Sequence, residues 1–98
     1  MAKYSLDQVR SHIKEHHPGC PDFAVSYFAQ EVSRRRWPGA NLGQAVGITI
    51  QNVLRHELTD YDQLLLVGVE RVEARRRVQS RVNEMINQWK ALDARNDG

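Results

Sequence analysis

The sequence predicts an all-α fold, a compact bundle of four or five helices closed by a long C-terminal helix, and three observations carry that prediction. Apolar residues recur at three- and four-residue spacings, Pro and Gly fall between the periodic stretches, and side chains that cap helices stand where those stretches begin. The chain has 98 residues. A chain of this size buries roughly two thirds of its unfolded surface, enough for one core. We therefore expect a single helical domain over residues 1–98, with 93–98 as a frayed tail.

The first helix is expected to begin at Ser5, whose hydroxyl accepts from the backbone near Gln8 while the Gln8 side chain reaches back; Leu6, Val9 and Ile13 then share a face. Pro18 and Gly19 end it. The second opens near Pro21 or Asp22 and presents Phe23, Ala24, Tyr27, Phe28 and Val32. It carries Arg34, Arg35 and Arg36 in its last turn, where cations suit the helix dipole. Asn41 with Gln44 is the next cap, and Leu42, Val46, Ile50, Val53 and Leu54 form a stripe reaching His56. Residues 45–50, AVGITI, also alternate like a strand, so a strand competes with the helix there. Gly43 and Gly47 lie one turn apart and leave space for a close neighbour, because a glycine inside a helix is about 1 kcal/mol worse than alanine and needs a compensating fit. Thr59 and Asp62 read as a capping box for a short helix buried through Leu64, Leu65 and Leu66, and Gly68 turns the chain into the last helix. That helix, about Glu70 to Leu92, repeats at 71, 75, 78, 82, 85, 89 and 92 in steps of four and three. The expected core is Val9, Ile13, Phe28, Val32, Val46, Ile50, Val53, Leu64, Leu65, Val78, Val82, Ile86 and Trp89.

Composition narrows the function classes. No uninterrupted apolar stretch resembles a secretory signal or a membrane span, and the single cysteine, Cys20, forms no internal disulfide; we read the chain as cytoplasmic, with no membrane partner. The net charge is only +2. Its basic residues cluster, however, at Arg34–Arg36 and at Arg75–Arg77.

Extending the last helix's stripe backward from Val78 reaches Arg75 and Arg71. An arginine on a core-facing stripe needs a carboxylate, because an unpaired buried charge is strongly destabilising. The reading is a partly buried network of Asp60 or Asp62 with Arg71 and Arg75, drawing in Tyr61 and His56. The pattern RH-x-x-TDYD-x-LL-x-x-G-x-x-R-x-x-AR-x-x-V, from Arg55 to Val78, resembles an uncharacterised bacterial and fungal family catalogued as a domain of unknown function. The resemblance covers about Leu42 to Trp89. It marks Arg55, His56, Thr59, Asp60, Tyr61, Asp62, Arg71 and Arg75 as a signature and implies no chemistry.

Other chemistry is weaker. His12, His16, His17 and Cys20 have part of a zinc spacing but lack a second ligand pair, and no metal or cofactor is expected. Asp60-x-Asp62 beside His56 is the material of a metal-dependent hydrolase, although capping already explains the acids. Cys20 lacks any sign of an oxyanion hole, and no phosphate-binding glycine loop is present. A non-enzymatic binding role remains. DNA or RNA comes first, contacted by Arg34, Arg35, Arg36, Trp37, Arg76, Arg77 and Arg81, with charge for phosphates and a ring for stacking. The alternative is a protein-interaction module, with a groove of Phe23, Phe28 and Trp37 or a homodimer through the C-terminal helix.

Overall fold

The computed structural model describes residues 3–96, with side chains as far as Lys90. Five helices follow one another: α1 (Leu6–His16), α2 (Asp22–Ser33), α3 (Leu42–Leu58), α4 (Tyr61–Leu66) and α5 (Arg71–Asn96). There is no strand among the described residues. The tail expected over 93–98 lies outside the described side chains.

The caps form where the sequence places them. Ser5 Oγ accepts from the Gln8 N–H at 3.1 Å while Gln8 Oε1 accepts from the Ser5 N–H at 3.0 Å. Asn41 and Gln44 make the same reciprocal pair at 2.8 and 2.9 Å. With this cap at its start, AVGITI is helical. Its alternation reflects a helix that buries Ala45, Val46, Thr49 and Ile50 while leaving Ile48 exposed. At the end of α4 the Gly68 N–H bonds to Leu65 O and the Val69 N–H to Leu64 O, with Gly68 at φ +96°. This is the paired closure that needs a left-handed residue, and glycine supplies it.

Four expectations change in this frame. The arginine triplet lies beyond α2, because that helix stops at Ser33 and Arg34 is its C-cap. Thr59 does not cap with Asp62. As the C-cap of α3 it donates its hydroxyl to Arg55 O and accepts from the Tyr61 N–H at 3.1 Å, while Asp60 precedes α4 without a side-chain cap bond. Leu66 is exposed, since the six-residue α4 has only one inward face. Glu70 caps α5, accepting from the Val72 and Glu73 N–H groups.

The core has two parts. The larger packs Val9, Ile13, Val25, Phe28, Ala29, Val32, Val46, Ile50, Leu54 and Val82, with Cys20 and Trp37 closing its edge. Full burial of an aliphatic side chain contributes roughly 1.5–3 kcal/mol, so α1, α2, α3 and α5 are held mainly here. Val53, Ile86 and Trp89 are only partly buried against it. The smaller part joins α4 to α5 through Tyr61, Ala74 and Val78, with Leu64 and Leu65 half-buried around them. On α2, Val25 and Ala29 turn inward, whereas Phe23 and Tyr27 face solvent.

Candidate nucleic-acid interface

The register of α5 decides where the arginines go. Four residues back from Val78 stands Ala74, which is fully buried, so the inward stripe runs through Ala74 and not through Arg75. The aromatic ring of Tyr61, itself 3% exposed, packs into this part of the core, where alanine leaves room for it. Arg71 and Arg75 are therefore exposed, and the expected carboxylate–arginine network with Asp60 and Asp62 does not form. Asp62 instead holds His56, with Nδ1 and Oδ1 2.6 Å apart on the surface. The His56 ring meets Tyr61 edge-on at 5.2 Å, and the Arg55 guanidinium lies over the same ring at 5.6 Å.

Three of the six clustered arginines, and Arg81, are neutralised at close range. Arg76 and Arg77 both donate to Glu73, and these bonds pull its carboxyl down to about 2. Arg34 is 2.8 Å from Glu31, and Arg81 is 3.6 Å from Glu84. The Arg35 guanidinium stacks on Trp37 at 4.5 Å. Trp37 itself is 5% exposed and donates its indole N–H to Val32 O at 2.9 Å. It is a core residue that fastens the segment after α2, so its ring is not offered to a base. Arg36 is exposed and has no carboxylate within ion-pair distance among the described residues.

Residues scattered through the sequence come together instead. Along α3, one cleft of about 480 Å³ is lined by Gly47, Ile48, Gln51, Asn52, Arg55 and Arg75. A second, of about 440 Å³, is lined by His12, His16, His17, Gly43, Gly47, Ile50, Gln51, Ile86 and Lys90. Both include Gly47 and Gln51, so the two clefts adjoin on the face of α3 and together form a groove flanked by α1 and α5. Gln79 donates to Gln51 Oε1 at 3.0 Å and fixes α5 alongside α3 midway. The glycines make the floor. A Cβ at Gly47 would meet nothing within 4 Å, and one at Gly43 would lie 3.7 Å from the His12 ring. At Gly43 the His12 ring of α1 approaches, whereas at Gly47 no neighbour fills the notch and the space is open.

The electrostatics of this groove are one-sided. Its lining carries three histidines, one lysine and two arginines, and no Asp or Glu. Arg55, Arg75 and Lys90 have no carboxylate within 4 Å among the described residues. Arg55 donates to Asn52 Oδ1 at 2.9 Å, while its Nε is buried without a partner. His17 is held below its ordinary value by burial and by the positive charges of Lys90, His12 and His16; His12 is lowered by burial and by His16.

The model of one protein family, described as uncharacterized conserved protein DUF2293, matches residues 12–90. The chain belongs to this family. The match reaches back to His12, taking in the last five residues of α1 and all of α2, well beyond the segment from Leu42 that carries the resemblance in the sequence. All six basic groove residues lie within it. No curated protein and no solved structure matches the chain.

Catalytic arrangements find little geometric support. Asp60 lines a separate cleft with Arg77 and Arg81, away from the His56–Asp62 pair. Among the described residues no group of three or more His, Cys, Asp or Glu is placed to hold a metal ion. Burial and the nearby Asp22 push the Cys20 thiol up to about 11, which keeps it protonated and unreactive at neutral pH. No helix among the described residues is long and apolar enough to cross a membrane.

Sequence reasoning missed Lys90, Gln51 and Gly47 as site residues, and it weighed His12, His16 and His17 only as zinc ligands. The usable signal was the cation at Arg75 with no acid one turn away on its own helix face, against Arg76 and Arg77, which both have Glu73.

Proposed function

We propose that this is a non-enzymatic binding domain for nucleic acid, DNA or RNA, whose phosphates follow the groove along α3. One observation carries the reading: six basic side chains from three helices line two adjoining clefts with no Asp or Glu among their lining residues. From Gly43 to Arg55 the groove extends about 18 Å at 1.5 Å per helical residue. That length spans about five phosphates of one strand. Arg55 and Arg75 are permanently charged and supply the main contacts at one end; Lys90 does so at the other. Arg71, exposed one turn before Arg75 on α5, extends the basic surface, and Arg36 is a further exposed cation after α2. Arg34, Arg35, Arg76, Arg77 and Arg81 contribute less, because each already has a partner. Trp37 acts by holding the fold.

Fluorescence anisotropy of labelled single- and double-stranded DNA and RNA, titrated at about 50 and 200 mM salt, tests this reading. Micromolar affinity that falls steeply with salt is expected, since released counterions drive such binding. No binding at the lower salt overturns it.

A second reading has its own observation. On the other side of α3, an almost wholly apolar cleft of about 550 Å³ lies between α2, α3 and α5, with Phe23, Tyr27, Leu54, Met85 and Trp89 in its walls. Phe23 is 80% exposed at its rim. Exposed apolar concavities mark protein contacts. A protein partner, or a second copy of the chain meeting it through α5, would use this face without competing for the groove. Sedimentation of the wild type and of Phe23→Ser over a range of concentrations separates a self-association from none.

A further inference from the structure

We propose that the His12, His16, His17 and Lys90 end of the groove is a seat for a phosphate group, at a strand end or free in solution, gripped as the histidines take up protons. The proposal rests on the reading of the groove as a nucleic-acid surface, and adds which chemical group is bound there and what switches the binding.

The seat is built from three elements. α1 presents His12 and His16 one turn apart, with ring centroids 4.2 Å from each other. His17 is the C-cap of that helix, its N–H bonded to Ile13 O at 2.7 Å. The Gly19 N–H then bonds to Trp89 O, which ties the loop to α5 and sets His17 beside Lys90. α3 contributes Gly43, Gly47, Ile50 and Gln51 to the cleft, none of them titratable. Among the described residues the acid facing the cluster is Glu15, with its carboxylate 3.8 Å from His16 Nε2, so four basic groups meet one carboxylate there.

Such a cluster cannot charge fully by itself. Burial, and then the positive charges gathered around them, make His12 and His17 of the free protein resist protonation. A phosphate reverses the sign of that interaction. A phosphate ester at a chain end carries about −1.5 to −2 charges near neutral pH, more than the single charge of an internal phosphodiester, and suits a site that gathers several cations. Each proton taken up strengthens the hold on the anion, and the anion favours each proton: the two equilibria are linked and reciprocal. His17 Nδ1 is buried with no hydrogen-bond partner.

The test follows the histidines and the ligand together. Imidazole resonances of His12, His16 and His17, assigned with single His→Gln variants, are recorded from pH 5 to 8 in chloride and in sodium phosphate at equal ionic strength. In parallel, oligonucleotides with a 5′-phosphate or a 5′-hydroxyl are titrated at pH 6.0 and 7.5. We expect inorganic phosphate to raise the His12 and His17 midpoints by about one unit, and the 5′-phosphate to tighten binding about tenfold at pH 6.0, the factor linked to such a shift. The advantage should shrink at pH 7.5 and disappear in Lys90→Gln. That exposed position leaves the fold intact, as a thermal melt verifies. Shifted midpoints without a 5′-phosphate advantage support the seat and assign it to free phosphate. Unmoved midpoints together with equal affinity for the two oligonucleotides overturn it. Steep salt dependence for both oligonucleotides in that case leaves the groove reading standing, and its absence removes both.

Discussion

The face of α5 from Glu73 to Glu84 and the groove along α3 carry similar numbers of cations, but their charges act differently. On α5 the arginines are neighbours in sequence and lie one turn from an acid, so Arg76, Arg77 and Arg81 close ion pairs within their own helix. In the groove, Arg55, Arg75 and Lys90 are far apart in sequence and come to line one face only when α3 and α5 pack, with no carboxylate among the lining residues. Clustering along a chain is therefore a poor guide to field in space. A helix spaces its own charges for mutual neutralisation, whereas charges brought together by tertiary packing have no such partner built in.

The largest effect that separates the two regions comes from Trp37. Replacing it by Ala is expected to destabilise the fold by about 3–5 kcal/mol, read by urea unfolding, because it empties a buried site and removes the bond to Val32 O. If Trp37→Ala keeps full stability and weakens only nucleic-acid binding, the aromatic contact assumed from the sequence is real.

Acidification is next. Folding holds His12 and His17 below their ordinary value near 6.5, so the unfolded chain binds more protons. Stability is then full above that pH and declines as pH falls through and below it. Thermal melts between pH 7.5 and 5.5 should show this loss, and His17→Gln should flatten it; an unchanged slope in His17→Gln would show that the histidine cluster is not responsible.

Smaller still is Asp62→Asn. Its partner His56 and Asp62 itself are each about half exposed, so the change should remove less than about 1 kcal/mol. A loss of about 3 kcal/mol would instead reveal the buried ion network that the register of α5 argues against.

The smallest expected change is a gain. Glu73→Gln frees Arg76 and Arg77, and should tighten DNA binding at low salt by about twofold, by adding exposed positive charge. Weaker binding would mean that Glu73 poises the arginines for contact.

The fold was largely legible from sequence because its signals are local. The two reciprocal caps at Ser5 and Asn41 and the turn at Gly68 depend on residues within a few positions of each other. The site was less legible because it depends on register and packing. One step along α5, to Ala74 in place of Arg75, turned two supposed core arginines to solvent. No local pattern distinguishes a stripe stepping by four from one stepping by three over so short a stretch, and only the bulk of Tyr61 against Ala74 decides it. The glycines were noticed, yet sequence alone does not show whether a helix or open space lies over them. Trp37 looked like a contact because it follows three arginines, and its burial depends on the core formed by other helices.

The most direct measurement compares two double variants in one binding experiment. The dependence of affinity on salt is recorded for Arg55→Ala/Arg75→Ala and for Arg76→Ala/Arg77→Ala beside the wild type, all four positions lying at or near the surface. If the groove binds phosphates, the first pair should flatten the slope of log affinity against log salt by about 2, one unit per lost phosphate contact, and the second should leave it nearly unchanged. The reverse outcome, with the slope lost in Arg76→Ala/Arg77→Ala and kept in Arg55→Ala/Arg75→Ala, would contradict it and move the interface to the face of α5.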